Sequence, residues 1–306
     1  MTCCVACICD NGKTIVSVAD RMVGVGFIES ELDISKMLEL HNGWRVLLSG
    51  DDITPVFDII DYAKEYLQKN KVADADFITL QLAMDAVREG HEKKRIEDAE
   101  SLFLKPTGWD IASFNVGGHI LPDYGELKSK INEYSLSIEL MVTGFSEGHG
   151  YIFSLSGTGE QRGLIQRHDI PGFYAIGSGA YGALFMLYYR EMSFREKARE
   201  AAYYTMEAKL FGEQAGGVGE GTDMYVSTAD GKSIPLDEDK TIEEKLVKVW
   251  YKLRPRWFGR ESVEILNSIP ELRGFPKMQV EKKRRKKKKS LKFAKPSDSQ
   301  TPQEKA

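Results

Sequence analysis

A threonine at position 2, an aspartate at 20 and a lysine at 36 carry the chemistry that this sequence offers. If Met1 is removed, Thr2 becomes the amino-terminal residue. It then supplies a hydroxyl nucleophile and, in its own α-amine, a base within reach of it. An α-amine has a reference pKa of about 7.7 to 8.0, so an appreciable fraction is neutral near pH 7.5, and a neighbouring cation pushes the value lower. Lys36 is the candidate cation, and Asp20 the candidate that holds Lys36 in place and keeps it charged. Such a site needs no His and no Cys. Taken singly, each residue has a plainer reading: Thr2 permits Met removal, Asp20 closes a strand, and Lys36 is a solvated surface cation.

The order of the surrounding elements is more specific than its parts. Residues 3–9 and 14–19 read as two buried strands joined by Asp10-Asn11-Gly12-Lys13, and Asn-Gly is a strong hairpin signal because both residues tolerate positive φ. Met37 to Leu40 and Trp44 to Leu48 repeat the pattern around His41-Asn42-Gly43, with His41 expected at the surface. Ser49-Gly50 closes this second hairpin. A Gly just past a strand can expose its backbone N–H without steric cost, although a loop Gly is the plainer reading of Gly50.

Thr2, Asp20-Arg21, Lys36-Met37-Leu38-Glu39-Leu40 and Ser49-Gly50, followed later by Gly177-Ser178-Gly179, resemble the β-type subunits of the proteasome core and the bacterial proteasome-like peptidases, which are N-terminal-nucleophile hydrolases. The resemblance covers roughly residues 2 to 70 and 138 to 228. It implies an α+β domain built as a four-layer αββα sandwich, two antiparallel sheets covered by helices. It also implies amide hydrolysis of the threonine-endopeptidase type: Thr2 as nucleophile, Asp20 and Lys36 around it, Ser178 orienting the amine and the Gly50 N–H at the oxyanion. Arg21 belongs to the matched element. Peptide or unfolded protein is the implied substrate, a ring or related homo-oligomer the implied assembly, and an ATPase partner is compatible with it. No cofactor and no metal are expected.

One stretch departs from that pattern. The family carries an Asp and then Ser-Gly-Gly before the last core strand; here Gly212 stands for the Asp and Ala215 for the Ser, with Gly216-Gly217 retained. Glu213, Glu220 and Asp223 are the acidic residues near enough in sequence to substitute. A catalytically silent assembly subunit and a small-amide amidase on the same scaffold therefore stay open beside the peptidase.

The helices follow from capping and periodicity. Thr54-Pro55 opens one, with the Thr54 hydroxyl as cap and Val56, Ile59, Ile60, Ala63 and Leu67 along one face. A second is expected from about Asp76 to Ala99, its end from Glu92 to Asp98 too polar to bury. Ser178 doubles as a cap for a helix from Tyr181 to Arg190, and Ser193-Phe194-Arg195-Glu196 reads as a capping box for the next, with Ala198, Ala201, Ala202, Thr205 and Met206 as its packing face. Strands are expected at Ile138 to Thr143, Tyr151 to Leu155, Gly163 to Gln166, Phe173 to Ile176 and Met224 to Ser227. Residues 102–135, rich in Gly and Pro, form an apparent insertion, read as a surface excursion rather than a lid.

Composition sets the outer bounds. With 306 residues, 42% of them hydrophobic, the chain can bury a substantial core. No apolar run reaches the ~20 residues a membrane span needs, which points to a soluble, cytoplasmic protein. The domain plan is 2–235 for the hydrolase-like body, 236–280 for a helical extension and 281–306 for a basic, disordered tail. Lys282 to Lys289 are eight consecutive cations; such a run binds an acidic partner or nucleic acid non-specifically, by charge. All four cysteines lie at 3, 4, 7 and 9. Strand alternation puts Cys3, Cys7 and Cys9 on one face and Cys4 on the other, which favours buried packing over a metal cluster.

Overall fold

The computed structural model describes residues 2–25, 28–31, 35–157, 163–214, 218–236, 244–248 and 250. The chain divides into a compact unit, Met1–Lys252, and a second, Leu253–Ala306, which lies outside the described residues. The expected basic tail and most of the expected 236–280 extension fall there.

Two five-stranded antiparallel sheets form the body. The first contains β1 (Cys4–Cys9), β2 (Thr14–Asp20), β10 (Phe173–Ile176), β11 (Thr222–Thr228) and β12 (Ser233–Pro235), in the order β10-β1-β2-β11-β12. The second contains β5 (Met37–His41), β6 (Trp44–Gly50), β7 (Ile138–Ser146), β8 (His149–Ser156) and β9 (Ile165–Arg167), in sequence order. A separate ribbon pairs β3 (Met22–Val25) with β4 (Ile28–Glu31); it was not expected from the sequence. The helices are α1 (Thr54–Lys69), α2 (Leu80–Ala99), α3 (Ile111–Gly117), α4 (Tyr124–Glu133), α5 (Ala180–Tyr189) and α6 (Ala198–Gly212).

Side-chain alternation divides the core into layers. Cys4, Ala6 and Ile8 of β1 pack with Leu47, Met141 and Ile152 of the second sheet, so the inner faces of the two sheets share one cluster. Their neighbours Val5, Cys7 and Cys9 turn the other way, against Ala183 and Leu187 of α5 and Ala201 and Ala208 of α6. On the second sheet, Val46, Leu48, Leu140 and Val142 face Val56, Ile59 and Ala63 of α1 and Ala83, Ala86 and Val87 of α2. Helix pair, sheet, sheet, helix pair is thus the order of packing, consistent with the sandwich expected. The four cysteines divide between faces as alternation requires, all free and buried. Among the described residues no cluster of His, Cys, Asp or Glu could hold a metal, and no helix is long and apolar enough to cross a membrane.

Several local expectations are corrected. Residues 102–135 are largely helical and carry a small core of their own, Leu104, Phe114, Leu127 and Ile131, packed around Ala99. That excursion half-buries the polar end of α2, where Arg95 donates to the Ile131 carbonyl at 2.9 Å. Helix α2 starts at Leu80 rather than Asp76, because Thr79 caps it by accepting from the Leu82 N–H at 3.3 Å. Asp52, not Thr54, accepts the first free N–H of α1, that of Thr54, at 2.8 Å. Ser193 to Glu196 form a turn instead of a cap: the Phe194 and Glu196 carbonyls take the N–H groups of Asn11 and Asp10, and α6 begins at Ala198. His41 is buried, its Nε2 3.0 Å from the Asp76 carbonyl.

Candidate functional site

Strand pairing assembles the site before any side chain is considered. Cys4 of β1 lies opposite Ala19 of β2 on one side and Ile176 of β10 on the other. Thr2, two residues before Cys4, is therefore flanked by the end of β2, which carries Asp20, and by Gly177-Ser178 just past β10. Lys36 precedes β5 in the other sheet and reaches across from it.

Thr2, Asp20 and Lys36 meet there, 3%, 0% and 1% exposed. Lys36 Nζ donates to Thr2 Oγ1 at 2.8 Å and to both Asp20 carboxylate oxygens at 3.0 Å. A buried ion pair of this kind is tolerated only if the remaining lone pairs are filled as well. Asp20 meets that demand: Oδ1 accepts from the Cys3 N–H at 2.8 Å, and Oδ2 from the Met22 and Gly219 N–H groups at 3.1 Å each. Five donations to one carboxylate fix its position and so aim the ammonium at the Thr2 hydroxyl.

The main chain of Thr2 is held from the opposite side. Its N–H donates to Ser178 Oγ at 3.3 Å, Ser178 Oγ lies 3.4 Å from its carbonyl oxygen, and the Gly179 N–H donates to that oxygen at 3.1 Å. Ser178 caps no helix, since α5 begins after Gly179 without a side-chain cap. Gly177 makes the close approach possible: its φ is +90°, and a Cβ there would overlap the Thr2 carbonyl.

Gly50 ends β6. The Leu48 N–H donates to the Lys36 carbonyl and the Asp51 N–H to the Ser137 carbonyl. Strand alternation therefore turns the intervening Gly50 N–H to the side of Lys36. A cavity of about 310 Å³ adjoins it, lined by Ser49, Gly50, Ser137, Glu139 and Ser156 among others. Burial pushes the Glu139 carboxyl above its ordinary range. A cavity of about 330 Å³ between β5 and α1 contains none of the expected site residues.

The support residues separate. Arg21 Nε lies 2.5 Å from Asp223 Oδ1, next to the end of β2, so these two are brought to the rim of the site as a pair. Glu220 is exposed, and the structure uses its carbonyl rather than its carboxylate. The Gly at 212 has a physical reason: a Cβ there would come within 2.6 Å of Cys3 Sγ, so no aspartate fits. Ala215, Gly216 and Gly217 lie outside the described residues. Burial, with Asp20 adding to it, pushes the Cys3 thiol up to about 12, so it stays protonated beside Thr2 at neutral pH.

Sequence reasoning missed Lys209, a fully buried cation on α6. Its Nζ donates to Glu213 Oε1 at 2.6 Å, the Gly219 and Glu220 carbonyls at 3.0 and 2.8 Å, and Thr222 Oγ1 at 3.0 Å. A signal was present: Ala201, Thr205 and Lys209 recur at four-residue spacing, which sets a lysine on the buried stripe of the helix.

No protein-family model matches the chain, and no curated protein matches it in sequence. Among solved structures it is similar to the Gly-1 mutant of Anbu from Hyphomicrobium sp. strain MC1, a bacterial proteasome-like subunit. The TM-score is 0.56 at 13% identity, covering 85% of this chain and 100% of that one. At that identity the likeness is one of fold, and the fold is proteasome-like.

Proposed function

We infer that the chain is an N-terminal-nucleophile hydrolase of the threonine type that cleaves peptide bonds once Met1 has been removed. The observation that carries this reading is the contact of Lys36 Nζ with Thr2 Oγ1 at 2.8 Å while both oxygens of buried Asp20 hold the same ammonium at 3.0 Å. Lys36 serves as the cation that lowers the basicity of the Thr2 amine and polarises its hydroxyl; Asp20 holds it there. The neutral amine takes the Oγ1 proton as Oγ1 attacks the substrate carbonyl carbon. The Gly50 N–H holds the oxygen that becomes negative. As the C–N bond breaks, the Thr2 ammonium returns its proton to the leaving amine. Water, deprotonated by the same amine, then hydrolyses the ester and frees Thr2. Ser178 keeps the amine oriented.

The proteasome-like fold supports peptide over small amide as the substrate. A face of Tyr181, Phe185, Tyr188 and Tyr189, each 63% exposed or more, lies along α5 and supports self-association into a larger assembly. Hydrolysis of unstructured fluorogenic peptides and of small amides, by the wild type and by Thr2→Ala, tests the assignment. Peptide turnover that vanishes in Thr2→Ala is expected. Turnover that persists in Thr2→Ala, or that is confined to small amides, overturns it.

A further inference from the structure

Among the described residues, Lys209 is the largest fully buried charged side chain that the proposed chemistry leaves unused. It is 0% exposed, and four oxygens lie within 3.0 Å of its ammonium, which has three protons to give. Three of the four belong to the segment 219–222 that leads from α6 into β11. Gly219 is the hinge of the arrangement: its carbonyl accepts from Lys209, while its N–H donates to Asp20 Oδ2 at 3.1 Å. A continuous chain of contacts thus runs from Glu213 through Lys209, Gly219, Asp20 and Lys36 to Thr2 Oγ1.

Resting on the threonine-hydrolase reading above, we propose that Lys209, braced by Glu213, is a positioning residue that clamps residues 219–222 so that the Gly219 N–H keeps Asp20 seated and Lys36 aimed at Thr2. The physical case is one of satisfaction. A buried ammonium is heavily penalised unless it is fully bonded, so it selects the backbone path that offers two carbonyls and a hydroxyl together. That path fixes the Gly219 N–H. Without it, Oδ2 of a fully buried carboxylate loses a donor, the carboxylate re-seats toward its remaining donors, and the Lys36 ammonium follows. Among the described residues, the charged group bonded to Lys209 is Glu213 on α6, and the Cys3 thiol is near enough to feel the charges of Lys209, Glu213, Asp20 and Lys36. Gly212, between Lys209 and Glu213, takes no side chain, since a Cβ there would come within 2.6 Å of Cys3 Sγ.

The test uses the full chain with Met1 removed. Acylation by a threonine-directed β-lactone is followed by intact mass against pH for the wild type, Lys209→Met and the milder Glu213→Gln, with amide hydrogen exchange at Gly219 read in parallel. In Lys209→Met the acylation rate is expected to fall about 10- to 100-fold, the scale of a small misplacement of reacting groups. The midpoint pH is expected to rise by on the order of one unit, since a displaced Lys36 no longer lowers the basicity of the Thr2 amine. Glu213→Gln moves both in the same direction by less, and it carries the test if Lys209→Met does not fold. Exchange at Gly219 accelerates in both variants while β7 and β8 amides stay unchanged. Folded variants with wild-type rate, midpoint and Gly219 protection overturn the clamp and leave the hydrolase reading standing. A wild type that never acylates, with Gly219 protection still lost in the variants, overturns the hydrolase reading and leaves the clamp.

Discussion

Two groups of buried polar residues in this molecule are built differently. Around Thr2, the charged pair Asp20–Lys36 is completed by three backbone N–H groups, and Lys209 finds four oxygens. On the helical side of the second sheet, Trp44 Nε1 and both ring nitrogens of His91 are buried with no partner among the described residues; at the rim of the site Asp223 Oδ2 shares that condition, although Oδ1 of the same carboxylate pairs with Arg21. The first region spends strong interactions to hold specific geometry; the second tolerates polar atoms inside an apolar layer of β6, α1 and α2. Burial of a polar residue therefore does not mark a site in this fold. Interlocking of several such residues does.

The widest separation between the two regions is expected from Lys36→Met. It should cut Thr2 acylation by about 1000-fold or more. It should also destabilise the fold by about 3–5 kcal/mol, because Asp20 is left as an unpaired buried charge. The acylation rate and chemical denaturation of the same variant, measured side by side, separate the two effects. Gly177→Ala comes next. Its φ of +90° and the overlap with the Thr2 carbonyl predict a loss of about 1–3 kcal/mol in denaturation midpoint experiments, together with slower acylation. Unchanged acylation in that variant would show that the Thr2 main chain need not be held as closely as the structure holds it.

His91 sharpens the contrast from the other side. Burial pushes its imidazole down to about 4. The unfolded chain takes up a proton below about 6.5, whereas the folded chain refuses it until about 4, so this contribution to stability is complete above the higher value and drains away as pH falls. His91→Leu should remove that acid limb, raising stability relative to wild type by about 2 kcal/mol at pH 5, with no change in Thr2 acylation. Equal pH dependence in wild type and variant would contradict the burial of a neutral His91.

Linear order made the front of the site legible. The hairpin signal at Asn11-Gly12 places the ends of β1 and β2, and so Thr2 and Asp20, side by side; that Lys36, from the other sheet, and Ser178, past β10, meet them was implied by the family resemblance of the motifs and not by local turn logic. The layered core was legible for the same reason, since alternation along β1 and β6 fixes which face each side chain takes. What lay hidden depends on how distant loops return. Gly219 reaches Asp20 across 199 positions, and nothing in the spacing announces it. Glu139 is an ordinary strand residue until the end of β10 closes over it. The apparent capping box at Ser193 failed because the turn at Asp10 and Asn11 claims the carbonyls of Phe194 and Glu196. A tertiary contact outcompeted a local one.

The most direct measurement of the central claim is the intact mass of the untagged protein before and after a threonine-directed β-lactone. Loss of Met1 and a single stoichiometric adduct, absent in Thr2→Ala, are the expected result. Retained Met1, or a free Thr2 that never takes the adduct, would contradict it and leave a proteasome-like fold without this chemistry.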